Sequence, residues 1–272
     1  MAGRSISELV VQAHSSRLYT VSMESRFGNW TDAEISQHFK PAVAPEAKST
    51  SFAAPSTRRG ASTDDGDLTV DWTAFAGVVH DQRECGACWA FSAADSVAAS
   101  IAISDGGRVE ELAAQELVDC DDGSARGCAG GNPREALDYV QAFGVGLAAD
   151  YPYEARQTVC RKNATRPAAA VHRVEYIRSE AAMLQALKRG PVAIGVAASQ
   201  RSFLLYRSGV YDDEASADLP LDHALLVVGA GRTLDGTPYW KMKSSWSTAW
   251  GENGYATNRV PWSWRPGYPN PS

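Results

Sequence analysis

The pattern of apolar and polar positions changes character partway along the chain. "WAFSAADSVAASIAIS", beginning at Trp89, is apolar or small almost all round and predicts a largely buried helix. "EELAAQELVDC" and "NPREALDYVQAF" predict two further helices, the second with Pro133 in its first turn, where an absent N–H leaves nothing unpaired. After about residue 170 the texture changes. "AAVHRVEYI", "GPVAIGVAA", "HALLVVGAG", "YWKMKSSW" and "GYATNRV" predict strands, and "SEAAMLQALKRG" a helix between the first two. A helical half followed by a strand-rich half predicts an α+β chain of two lobes, with a site where they meet.

Ahead of these halves the signals are local. "TDAEISQHF" opens on Thr31 with Glu34 three residues later, a capping box that predicts a helix start. Residues 41–67 are rich in Pro, Ala, Ser and Thr without an apolar period and read as a linker, with Arg58-Arg59-Gly60 open to a protease. "MAGRSISELVVQAHSSRLYT" carries only short apolar pieces and does not read as a signal peptide. No apolar run approaches the roughly 18 residues of a membrane span.

Composition narrows the classes. A chain of 272 residues can bury one large core or two lobes. The net charge of −6, with no block of Lys and Arg, argues against a nucleic-acid partner. Five cysteines, at 85, 88, 120, 128 and 160, predict two disulfides and one free thiol, with the pairing left open. Five reduced, buried cysteines are the alternative.

The candidate chemistry centres on "QRECGACWAF", Gln82 to Phe91. Cys85 and Cys88 could form a redox dithiol, but the strand–dithiol–helix context of such motifs is absent. They could bind zinc with Cys120 and Cys128, but that second spacing is loose and no histidine lies nearby in sequence. Or one is a nucleophile. Cys88 opens the apolar helix, where the positive end of the helix dipole favours a thiolate. A thiolate nucleophile also needs an imidazole partner. His14 and His38 precede the linker, His80 lies in a loop near Cys88, and His172 starts a plain strand. His223, after Asp222 and at the head of an apolar strand of the other half, is the best candidate.

These residues carry a resemblance. "QRECGACWAF", with a histidine 135 residues after Cys88 (223 − 88), resembles the active-site segment of papain-like cysteine peptidases of the cathepsin L type. "TVDW", "ELAAQELVDC", "GCAGGNP", "YPYE", "GPVAIGV", "YRSGVY", "DHALLVVGAG" and "SSWSTAWGENGY" follow in family order over about 190 residues, roughly 69 to 255. "RFGNWTDAEI" (26–35) is similar to the end of the family's inhibitory propeptide.

The resemblance implies a papain-like two-lobe fold, with a helical lobe at about 80–165, a β-barrel-like lobe at about 166–260, and the cleft between them. Residues 1–40 would be a partial, shortened propeptide, 41–67 a linker holding the processing site, and 68–272 the peptidase domain. It makes Cys88 the nucleophile and His223 its imidazole partner, paired as thiolate and imidazolium. Gln82 and the Cys88 N–H would stabilise the oxyanion, and Trp246 would shield the histidine. It pairs Cys85 with Cys128 and Cys120 with Cys160. Gly130 and Gly131 would let an extended peptide lie along the cleft. Asn132, Pro133, Gly195, Leu221, Asp222 and Ala224 would shape substrate binding around the second-residue pocket. No cofactor or metal is implied. The expected partners are polypeptide substrates, the chain's own propeptide and cystatin-like protein inhibitors, for a monomer in a lysosome, a vacuole or the extracellular space. Asn163 in "NATR" is a glycosylation candidate, and the "NWT" sequon at Asn29 would leave with the propeptide.

The chain also departs from the family pattern. Ser244, in Lys243-Ser244-Ser245-Trp246-Ser247, stands where the family has an asparagine that orients the imidazole. Its shorter side chain is expected to need a water bridge. Arg83 replaces a glycine after Gln82, the run from Trp72 to Gln82 is about two residues short, and "RVPWSWRPGYPNPS" does not resemble the family's last strands. Two functions are therefore expected. The first is a cysteine endopeptidase acting through a thioester acyl-enzyme, made as a zymogen and slowed by Ser244. The second is an inactive homologue that keeps the cleft as a binding or decoy protein.

Overall fold

In a computed structural model, residues 19–39 and 69–259 are described, apart from 122, 124, 163–166 and 214–218. Asn163, His14, the 41–67 linker and the chain's last residues from 260 lie outside the described residues.

The helical lobe forms around α2 (Cys88–Asp105), with α3 (Ala114–Cys120) and α4 (Pro133–Phe143) packed against it. Alanine and serine cover almost every face of α2, so neighbours approach from all sides and the helix lies largely inside the protein. It ends at Gly106, whose left-handed conformation turns the chain away. Trp89, Phe91, Leu117, Val118, Tyr139, Val140 and Tyr151 fill this core. Disulfides join Cys85 to Cys128 and Cys120 to Cys160, tying the loops around it. Asn132 caps α4 by accepting the Arg134 N–H, and Pro133 takes the first helical position.

The second lobe is a seven-stranded sheet. Its strands are β1 (Tyr19–Val21), β2 (Val70–Asp71), β3 (Val192–Val196), β4 (Tyr206–Tyr211), β5 (His223–Arg232), β6 (Pro238–Lys243) and β7 (Tyr255–Arg259), with α5 (Glu180–Leu187) against it. The order is β1-β4-β7-β6-β5-β2, and β3 pairs with the opposite side of β5 from β6. Only β4–β7 is parallel among these pairs. Nine of the ten residues of β5 are buried, as expected of a strand covered on both faces. Gly229 is required there because an added Cβ would lie 2.6 Å from the Val70 carbonyl oxygen of β2. One predicted strand is absent. Within "AAVHRVEYI" only Ala169 forms a bridge, to Val145. The rest is tied by polar contacts instead, Gln141 to the His172 carbonyl, Tyr176 to Asp138, and Glu175 to Arg189. Ala169 and Val171 pack on the core of the helical lobe and Ile177 on that of the strand lobe, so the segment crosses between the two cores and forms no ladder.

Residues 19–39 lie on the strand lobe. β1 adds an edge strand to β4, and α1 (Asp32–His38) begins with the capping box read from Thr31 and Glu34. Tyr19, Phe27, Ile35 and Phe39 join the same apolar core as Trp246, Trp250 and Phe203. Among the described residues no helix is long and apolar enough to cross a membrane.

Candidate active site

Cys88 is the first residue of α2, and no side chain caps the helix start beside it. It is the one free cysteine of the five. The backbone N–H groups of Ala224 and Trp89 face its sulfur. The first of these belongs to β5 in the other lobe, so the sulfur sits where the lobes touch. Burial is the dominant influence and pushes the thiol up to about 11 against these donors. His223 heads β5, next to Ala224. Its ring stacks on Trp246 at 4.1 Å between centroids, and its Nε2 lies 3.3 Å from the Ser244 hydroxyl. With Nε2 held at Ser244, Nδ1 is the ring nitrogen left for proton exchange. Burial lowers the His223 pKa to about 3, helped by the positive fields of His38 and Arg26. In this arrangement burial favours the neutral form of each partner, thiol and imidazole, although Cys88 itself is only half-buried.

The direct 3.3 Å contact replaces the water bridge expected for Ser244. The backbone supplies the missing reach, because the Ser244 N–H is held by the Gly254 carbonyl at the end of β6. Gln82 is buried and fixed at three points. Its N–H donates to the Ser245 carbonyl at 2.8 Å, and its side-chain oxygen accepts from the Ser245 hydroxyl at 2.7 Å. Its amide nitrogen donates to the Cys85 carbonyl at 3.0 Å, leaving its second N–H for a ligand. The shortened run before Gln82 is pinned at each end. Lys243 donates to the Ala76 carbonyl, and the His80 carbonyl accepts from Ser247. Arg83 adopts φ +52°, the left-handed conformation that glycine takes without strain, and its head turns onto Tyr153.

The substrate candidates divide. Gly195 faces Ala224 in the β3–β5 pairing, and a Cβ on it would touch Leu221 at 3.2 Å, so these three form one wall. Gly130 has φ +107° and open space where a Cβ would be, while its carbonyl accepts the Arg126 N–H at 2.8 Å. Gly131 is glycine for another reason, since a Cβ there would meet the Trp89 ring at 2.6 Å. The side chains of Asn132 and Asp222 are committed elsewhere. Asn132 caps α4, and Asp222 accepts the N–H groups of Ala198 and Ser199. Pro133 opens α4, which touches β3.

Sequence reasoning missed a buried polar clamp. Lys243, almost fully enclosed, pairs with Asp95 of α2 at 2.8 Å, and Asp95 also meets His80 at 3.3 Å. Burial opposes the Asp95 charge, yet Lys243 and His80 together hold its pKa below the ordinary carboxylate range. The clamp joins the helix of Cys88, the loop of Gln82 and the strand leading to Ser244. A charged residue seven positions into an otherwise apolar helix was the available signal.

Phe39, whose ring lies 5.6 Å from that of Trp246 and 6.5 Å from that of His223, covers this corner from the N-terminal segment. Among the described residues no cluster of potential metal ligands occurs.

A thiol at a helix start, an imidazole across an interlobe cleft and an amide donor beside them define a class of thiol-dependent acyl-transfer site. Residues 67–260 match the model of the papain family cysteine proteases. The chain is 38% identical over 240 residues to cysteine endopeptidase Rep1 of Oryza sativa subsp. japonica, covering 85% of this chain and 64% of that one. It is 40% identical over 198 residues to cathepsin S of Mus musculus, covering 69% of this chain and 57% of the relative. It thus spans less than two thirds of the length of these curated relatives. The fold is similar to digestive procathepsin L 3 of the Tenebrio molitor larval midgut, with a TM-score of 0.78, 26% identity, and 96% and 85% of the two chains covered. It is also similar to bromelain from Ananas comosus in complex with the E64 inhibitor, with a TM-score of 0.65, 32% identity, and 73% and 94% covered. This chain belongs to the papain family of cysteine proteases.

Proposed function

We propose that the chain is a cysteine endopeptidase made as a zymogen, with residues 1–40 as propeptide, 41–67 as the processing linker and the remainder as the peptidase. The observation that carries the reading is the juxtaposition of Cys88 at the start of α2 with β5, whose Ala224 N–H faces the sulfur and whose first residue, next in sequence to Ala224, is His223. His223 takes the thiol proton at Nδ1, and the sulfur attacks the peptide carbonyl. The resulting oxyanion is held by the free N–H of Gln82 and the backbone N–H of Cys88. The imidazolium then protonates the leaving amine, giving a thioester that water hydrolyses. Trp246 excludes water from one face of the imidazole. Gly130 and Gly131 let an extended peptide lie along the cleft, and Gly195, Leu221 and Ala224 line the second-residue pocket.

The likeness to a procathepsin over 96% of this chain supports the zymogen assignment, as does the packing of Phe39 beside His223. The peptidase would act as a monomer in a lysosome, a vacuole or the extracellular space, and cystatin-like proteins would be its inhibitors. The decoy alternative loses its main motive, since Ser244 contacts His223 directly.

Labelling by an epoxide probe of cysteine peptidases tests the reading. After the folded chain is cut within 41–67, one equivalent should map to Cys88, and His223→Ala should abolish it. No labelling of folded, disulfide-bonded, fully cut protein would reject the assignment.

A further inference from the structure

Arg26 ends against an acidic loop beside Gln82. Its Nη1 lies 2.7 Å from Asp81 Oδ1, and its Nη2 donates to the Arg83 carbonyl at 3.1 Å and lies 3.5 Å from Glu84 Oε1. Three acceptors from four consecutive residues thus surround one guanidinium, a geometry suited to a planar fork of N–H donors. The Arg26 side chain is only 19% exposed, while its acidic partners stay open to water, Asp81 at 47% and Glu84 at 77%. Arg83, the cation nearest in sequence, does not compete, because its own head lies against Tyr153.

This acidic loop has a defined place relative to the chemistry. Asp81 bridges to Trp246, whose ring covers His223. His223 donates the proton that the leaving amine needs, so the leaving half of a substrate must pass the His223–Trp246 side. Asp81 and Glu84 therefore border the path of residues C-terminal to the scissile bond. Phe27, next to Arg26, and Phe39, which packs on Phe27, occupy that side now through their contacts with Trp246.

We infer that Asp81, Glu84 and the Arg83 carbonyl form a subsite for an arginine on the leaving-group side of the substrate, which Arg26 fills until the N-terminal segment departs. This deepens the peptidase reading above and rests on it. The site is solvent-facing and screened, so its effect is a preference rather than an absolute requirement.

Matched peptides carrying arginine or its neutral isostere citrulline, at each of the first three positions after the scissile bond, test the inference. The full chain is folded and then cut within 41–67 before assay. At one of the three positions arginine should raise kcat/KM about fivefold over citrulline. That ratio should fall towards one in Glu84→Gln, in Asp81→Asn and at high salt. Equal cleavage of both peptides at all three positions would overturn the inference while leaving the peptidase reading intact. If no peptide is cleaved at all, the peptidase reading fails separately, and the same pairs are read as ligands of the cut Cys88→Ala protein by fluorescence competition. Tighter binding of the arginine member, lost in Glu84→Gln, would support the subsite, and equal binding would reject it.

Discussion

At the scale of single residues, the imidazole's orientation depends on one hydroxyl. Ser244 reaches Nε2 of His223 at 3.3 Å, at the long end of a hydrogen bond, and its hydrogen must point away for the oxygen to accept. Ser244→Ala should lower kcat/KM of the cut protein about tenfold, roughly 1.4 kcal/mol, because a buried N–H loses its partner. Ser244→Asn, with a longer acceptor, should raise it above the wild type, and steady-state kinetics on one peptide would check both. Cys88, His223 and Gln82 were legible because their spacing matches a family whose chemistry demands those types. The reach of Ser244 was not. Side-chain length suggested a water bridge, but the strand end, fixed by the Gly254 carbonyl, brings the hydroxyl within contact. Gly131 teaches the converse, since a glycine that the family motif links to substrate is fixed here by packing on Trp89.

At the scale of elements, the arrangement relies on a clamp that periodicity could not reveal. Asp95 lies two turns from Cys88 on α2, and its partners Lys243 and His80 come from distant parts of the chain. Asp95→Asn would leave the ammonium of Lys243 buried without a counter-charge, so it should destabilise the protein by about 3 kcal/mol. Urea denaturation of the uncut chain would measure this, and an unchanged midpoint would show that the clamp is replaceable. The helices and most strands were legible from their apolar patterns, as was the capping box of α1. The segment "AAVHRVEYI" was misread because alternation alone does not tell whether a neighbouring strand is present to complete a ladder. β4 shows the same limit from the other side. "YRSGVY" has no regular period, yet it forms a strand because β1 and β7 flank it.

For the whole molecule, the two lobes and their interface followed from the change of pattern near residue 170 and from the family resemblance. The state of the site did not. The resemblance implied a thiolate–imidazolium pair, whereas burial beneath the N-terminal segment favours the thiol and the neutral imidazole. Burial is the main cause for each, pushing Cys88 up to about 11 and His223 down to about 3. His38 and Arg26, both of the N-terminal segment, add to the shift on His223. An imidazole whose folded pKa is lowered is neutral where the unfolded chain binds a proton. The stability linked to His223 is therefore full above about pH 6.5 and is lost as pH falls towards 3. Acid works against the covered state, and departure of residues 19–39 removes Phe39, His38 and Arg26 from the site together.

The central claim is that this segment holds a competent Cys88–His223 pair in its neutral form. The most direct measurement is the rate of Cys88 alkylation by iodoacetamide from pH 5 to 9, mapped by mass spectrometry before and after the cut. The uncut chain should react slowly, its rate rising about tenfold per pH unit with no plateau, as for a thiol titrating near 11. The cut protein should react at least a hundredfold faster at pH 6 and show a plateau from the thiolate–imidazolium pair. The same slow, steep profile in fully cut, folded protein would contradict the account, as would a fast plateau already present in the uncut chain.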